Sequence, residues 1–226
     1  MRWLKVIGGM VYTLSFFGAA LFIPAGTIHW WRAWVLLGSV MVCVVATMLV
    51  LSDNEELLNE RYKSPVQKGQ PLADKILTLL LIPSFAALLI LIPLDVFRYR
   101  LIGSPGLVLS TIGLLLFVGG WAFMALALRE NTFAAPIVKH QEERHQTVID
   151  SGVYRIVRHP MYAGAVPMML GMALWLESYA AALFALVPIA VLAVRILVEE
   201  QLLRRELPGY ESYAQRVRYR LIPYLW

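Results

Sequence analysis

Apolar residues run through this chain in blocks close to 20 long, separated by polar breaks of which two, 53–75 and 129–158, are long. A helix needs about 20 predominantly apolar residues to cross the hydrocarbon core of a bilayer. The pattern predicts such helices over 6–25, 33–52, 76–95 and 105–128. A long polar loop follows at 129–158, and two more apolar helices at 161–176 and 179–198. Only Glu177 and Ser178 join this last pair, so the two are expected to return on one another as an antiparallel hairpin. The first of them is short for a full crossing. No charged leader with a small-residue cleavage site precedes the first span, which is therefore expected to be a retained helix. There is no internal repeat. The predicted fold is all-α: a polytopic transmembrane bundle of about six helices, ending in a helical hairpin.

Composition agrees with the pattern. Hydrophobic residues make up 59% of the 226 and charged residues only 15%, with a mean hydropathy of +0.66, more apolar than a soluble core requires. Cys43 is the single cysteine and lies within an apolar run, so a disulfide framework is excluded. The four histidines, His29, His140, His145 and His159, have no metal-ligand spacing, and no metal site is expected.

The net charge of +5 acquires a topological meaning once the basic residues are sorted by side. Arg32, Arg98 and Arg100 fall on one face of the proposed bundle. The other 17 of the 20 Lys and Arg fall on the opposite face, among them Arg2, Lys5, Lys68 and Lys139. Lys and Arg accumulate in cytoplasmic loops, which places both termini, the long loop and the tail in the cytoplasm and requires an even number of crossings. Nucleic acid is then not needed to explain the charge. Trp3, Trp30, Trp31, Trp34, Tyr99 and Trp226 lie near span ends, where amphipathic rings settle at headgroups.

Two clusters could carry chemistry. GVYRIVRHPMYAG, 152–164, opens the hairpin. Gly152 permits a turn, Pro160 suits the first turn of a helix, and Arg158 and His159 stand at its start, where an anion such as a carboxylate or phosphate is favoured. Tyr154 and Tyr162 add flat faces and hydroxyls. Interfacial anchoring is the plainer use of the same basic residues. The second cluster, RILVEEQLLRRELPGYESY over 195–213, places Arg195 four residues before Glu199 and Glu200 four before Arg204, so each pair could simply neutralise itself. Arg195 nevertheless sits near the end of an apolar helix, where an ionisable side chain is by default a site candidate. The short link brings the two clusters together: Arg158 and His159 beside Arg195, Glu199 and Glu200. Such a site suits a nucleoside with an amino-acid tail, a carboxylate holding the ribose diol. The segment 53–75 reads as a solvated loop that could shape a substrate entrance. No GxGxxG or GxxxxGK[ST] run occurs.

HQTVIDSGVYRIVRHPMYAG, an apolar hairpin and then RILVEEQLL together resemble the isoprenylcysteine carboxyl methyltransferase family and its relatives, including phospholipid N-methyltransferases. The resemblance covers about the C-terminal 95 residues and suggests two parts: N-terminal transmembrane helices, 1–128, and a methyltransferase core, 129–226. It implies an integral membrane enzyme that binds S-adenosylmethionine at a cytoplasmic site. Carried over by position, cofactor contacts fall on Gln141, on Gln146, Thr147, Val148 and Ile149, on Tyr154, on His159, Pro160, Met161 and Tyr162, and on Glu199. Arg158 and Glu200 join the cofactor set from their place in the clusters, and the family's substrate-contacting arginine falls on Arg195. Gln146 stands where some relatives have histidine, which favours backbone contacts there. Leu207 occupies a usual glycine position ahead of Tyr210 and Tyr213. No catalytic residue is assigned.

The expected reaction is methyl transfer to a lipophilic acceptor. A carboxylate of an isoprenylcysteine or other isoprenoid would need no general base. A thiol or phospholipid amine would need one, with Glu200 or His159 as candidates. A membrane reductase using NADPH, and a lipid-binding protein without catalysis, are the competing classes.

Overall fold

The computed structural model describes residues 2–61, 63–67, 69–138 and 141–226, with side chains from residue 8 onward. Lys68, Lys139 and His140, and the side chains of Arg2, Trp3 and Lys5, lie outside the described residues. The described chain is helical: α1 (Arg2–Ala25), α2 (Trp31–Val50), α3 (Glu55–Arg61), α4 (Leu72–Leu94), α5 (Leu107–Glu130), α6 (Pro160–Trp175), α7 (Tyr179–Phe184), α8 (Leu186–Glu206) and α9 (Tyr210–Arg216).

All six expected apolar helices form, and five are long and apolar enough to cross a membrane. The exception is α6, whose 16 residues rise about 24 Å against a hydrocarbon core of about 30 Å. The last span is longer than its apolar run: α7 and α8 continue to Glu206, because Leu, Glu, Gln and Arg beyond 198 keep the helical state outside the apolar phase. The short break between them has a local cause. Pro188 has no N–H to give to the carbonyl four residues back.

The long helices form a ring in the order α6, α5, α2, α1, α4, α8. The closest contact is between α5 and α6. A Cβ on Gly120 would lie 2.4 Å from the Gly164 carbonyl oxygen, and one on Gly171 would lie 2.4 Å from that of Gly113. Four glycines therefore bring two backbones into contact along the full length of α6, the small-residue packing by which helices associate within lipid. The hairpin returns as expected, but its arms take different partners: α6 lies on α5 and α8 lies on α4. Between α6 and α8 is a seam, bridged at one end by side chains and at the other by the link.

At the link end, Glu177 adopts a left-handed φ of 68° and Ser178 caps α7, accepting from Ala181 N at 2.9 Å and donating to buried Asp95 at 2.6 Å. Arg32 is buried there against the rings of Trp31 and Trp175, which themselves meet edge to face. It donates to Ser110 Oγ at 3.0 Å and to the Trp175 carbonyl at 3.1 Å, and pairs with Glu177 at 3.0 Å. Trp30, expected at the headgroups, instead turns inward against Phe97, whereas Trp31, Trp34 and Tyr99 are exposed. Most other apolar side chains on the outer surface, such as Ile23, Val42, Leu79 and Val108, have no protein to cover them and face lipid.

Candidate active site

The opposite end of the ring carries the site. Residues 131–138 and 141–159, α3, the start of α4, the end of α8 and α9 all gather on this side. Gly152 begins the final approach to α6 at a φ of 52°, and a Cβ there would meet the Glu130 carboxyl group at 2.5 Å. Ser151 Oγ donates to that same carboxylate at 2.6 Å, pinning the turn to the end of α5. Tyr154 is then held from two directions. Its hydroxyl accepts from Asn131 Nδ2 at 3.0 Å, and its carbonyl accepts from Tyr213 Oη at 2.9 Å. Burial pushes the phenols of Tyr154, Tyr210 and Tyr213 above their ordinary range, so all three stay neutral hydrogen-bonding groups.

Pro160 occupies the first turn of α6, as its missing N–H permits. His159 caps that helix, 5% exposed, its ring stacked on Tyr162 at 5.7 Å. Its Nε2 lies 3.3 Å from Glu200 Oε1 and its Nδ1 lies 4.0 Å from Glu199. Tyr162 Oη donates to Glu199 Oε2 at 2.8 Å. The two clusters read from the sequence therefore meet across the seam.

Adjacent glutamates do different things because successive helical residues point about 100° apart. Glu199 faces a cavity of about 290 Å³. Glu200 faces away from it, 3% exposed: Oε1 accepts from Arg158 Nε at 2.6 Å and Oε2 from Arg220 Nε at 3.1 Å. Arg158 Nη1 also donates to the carbonyls of Val217 at 2.6 Å and Arg218 at 2.9 Å. The backbone adds to this, with Arg158 N donating to the Tyr219 carbonyl at 2.9 Å and His159 N to that of Arg220 at 3.0 Å. Glu200 and Arg158 thus bind the C-terminal strand of chain to the start of α6. Arg158 has Glu200 as its buried counter-ion while lying on the cavity wall, and both Glu200 oxygens accept hydrogen bonds from arginine.

The cavity wall includes every other site residue read from the sequence: Gln141, Gln146, Thr147, Val148, Ile149, Tyr154, His159, Pro160, Met161, Tyr162, Arg195 and Glu199, together with Arg158. Gln141 and Gln146 mainly hold the loop. Gln141 N donates to Gln146 Oε1 at 2.8 Å, and Gln141 Nε2 to the Phe133 carbonyl at 2.7 Å.

Several wall residues come from outside the two clusters. Arg61, Asn131, residues 133–138, Tyr210 and Tyr213 line the same cavity. Arg61 reaches it from α3, donating to the Ala134 carbonyl at 3.1 Å. The segment 53–75 is therefore only partly a solvated loop: Arg61, Gln70 and Asp74 are built into the site's wall or directly behind it. Asp74 is wholly buried and lies 2.9 Å from Arg195 Nε. An acidic residue in the first turn of a helix is common enough that the sequence offered no sharper signal.

Similarity to known proteins gives this geometry its context. A solved structure of the eukaryotic intramembrane Ras methyltransferase, isoprenylcysteine carboxyl methyltransferase, superposes with a TM-score of 0.56 at 19% identity, over 99% of this chain and 86% of that one, so the two share a fold. The phospholipid methyltransferase family model matches residues 108–208. Protein-S-isoprenylcysteine O-methyltransferase B of Arabidopsis thaliana is 31% identical over 148 residues, 62% of this chain and 75% of that protein. A probable protein-S-isoprenylcysteine O-methyltransferase of Oryza sativa subsp. indica is 34% identical over 112 residues, 48% of this chain and 58% of its own. Fold and site together define a multi-pass integral membrane methyltransferase. The chain belongs to the isoprenylcysteine carboxyl methyltransferase family, as the motif over 145–203 implied.

Proposed function

We propose that this protein uses S-adenosylmethionine to methylate the carboxylate of a prenylated cysteine, or of a closely similar isoprenoid acid. The observation that carries the reading is the placing of Arg195 and Glu199 one helical turn apart on α8, both on the wall of a single cavity that His159 and Tyr162 enter from α6.

The residues present suit such a cofactor. Glu199 is an acceptor for a ribose diol, steadied by Tyr162 and still open to the cavity. Tyr210 Oη is buried on the same wall with no hydrogen-bond partner among the described residues, an orphan that a polar ligand group would satisfy. Val148, Ile149, Pro160 and Met161 supply apolar faces. When bound, S-adenosylmethionine supplies a methyl group on a sulfonium centre. Arg195, on the same wall, would hold the acceptor carboxylate toward that methyl. Holding two reactants at near-attack distance is worth about 7–11 kcal/mol, and a carboxylate, already ionised at neutral pH, calls for no base. The cavity walls limit water around the nucleophile.

The orientation we propose puts both termini and the site in the cytoplasm, supported by the excess of Lys and Arg on the site's face. We also propose the division into 1–128 and 129–226, with Arg61 and Asp74 as the N-terminal part's contribution to the core.

Purified protein in detergent, given S-adenosylmethionine labelled in its methyl group and S-farnesylcysteine, should yield label that is released as methanol by mild base. Base-stable label in added phospholipid would instead favour amine methylation, the reading that the match at 108–208 keeps in view. Absence of incorporation into either would reject both.

A further inference from the structure

Arg195 is held from one side only. Its Nε lies 2.9 Å from Asp74 Oδ1, and its Nη2 donates to the Pro136 carbonyl at 2.8 Å and, more weakly, to Asp74 Oδ2 at 3.5 Å. Among the described residues Nη1 has no hydrogen-bond partner. The guanidinium thus has its Nε/Nη2 edge against protein, while the side chain lies on the cavity wall.

Asp74 is itself fixed. It is 0% exposed on the first turn of α4, and its Oδ2 accepts from Gln70 Nε2 at 2.6 Å and from Val138 N at 2.9 Å. Burying an aspartate so completely is costly unless it is paired, and its charge partner is Arg195. The pair is close but poorly aligned, since neither Asp74 Oδ1 nor Arg195 Nε completes a well-directed hydrogen bond. Asp74 therefore acts on the guanidinium more as a counter-charge that sets its position than as a saturating partner, and it leaves Nη1 for an incoming anion.

Resting on the carboxyl-methylation reading above, we infer that Asp74 is a positioning residue for the acceptor: it holds Arg195 so that the free Nη1 edge meets the substrate carboxylate. This gives the N-terminal helices a direct part in acceptor recognition, through a single side chain of α4 that touches α8 and the loop at 136–138.

The test compares two ligands by calorimetry in detergent: S-farnesylcysteine, which carries the carboxylate, and its methyl ester, which does not. Wild-type protein should bind the acid at least tenfold more tightly than the ester. Asp74→Asn and Asp74→Ala should remove most of that preference by weakening the acid alone, with ester affinity and S-adenosylmethionine affinity held within about twofold. Asp74→Glu should restore part of it. Equal loss for acid and ester would show a merely structural role and overturn the inference. Unchanged acid preference in Asp74→Asn would overturn it too, leaving the carboxylate reading intact. Wild-type protein that binds acid and ester alike would sink the carboxylate reading and this inference with it.

Discussion

Tyr162 on α6 donates a 2.8 Å hydrogen bond to Glu199 on α8, although the two helices pack their backbones on other partners. The contact spans the seam at its site end and keeps one Glu199 oxygen in a fixed direction. At this end the two arms are bridged by side chains, Tyr162 and His159 from one and Glu199 and Glu200 from the other.

Glu199→Ala is expected to abolish S-adenosylmethionine binding, whereas Arg195→Ala should leave it near the wild-type value and abolish acceptor methylation. Tyr162→Phe removes a hydrogen bond to a charged group, worth about 1.5–3 kcal/mol, and should weaken the cofactor on the order of tenfold or more. Titration calorimetry on the three variants checks this, and equal loss in the Glu199 and Arg195 variants would contradict the division of roles.

Gly164→Ala should cost stability and cofactor binding together. The added methyl would sit 2.5 Å from the Gly120 carbonyl, forcing α6 off α5 and moving His159 and Tyr162 with it. Overpacking of this kind costs about 1–3 kcal/mol. Gly119→Ala, one residue from the contact and with open space around it, is the control and should change neither the melting midpoint nor the affinity.

Glu200→Gln uncouples Arg158, His159 and Arg220 at once. Leaving a buried charge without its partner costs about 3–5 kcal/mol, so the variant should melt far earlier. Deleting 217–226 should do the same, because those residues supply carbonyls to Arg158 and His159. Thermal unfolding in detergent reads both. A deletion variant as stable as wild type would show that residues 217–226 are not part of the fold's support.

Arg32→Ala tests the independence of the two ends. It empties the cluster of Ser110, Trp175 and Glu177 and should lower the melting midpoint. Cofactor affinity of the folded fraction should hold within about twofold, since the cluster lies at the link end of the bundle, with the length of α6 between it and the site. A large affinity change would mean that the bundle transmits strain along α6.

The chain's local chemistry was enough to foretell the six apolar helices, though not α3 or α9, together with the all-α class, the short α6 and the meeting of the His159 and Glu199 clusters, because each depends on residues close in sequence: apolar runs, a proline at a helix start, a two-residue link. Only the folded molecule decided that α6 would lie on α5, that Glu200 would turn away to the tail while Glu199 faced the cavity, and that Asp74, 121 residues from Arg195, would stand behind it. Those outcomes depend on which helix faces which, and hydrophobic periodicity is blind to that in a bilayer, where every outward face is apolar as well. Four glycines and a few buried charges made the choice, through close backbone approach and the need of each buried ion for a partner.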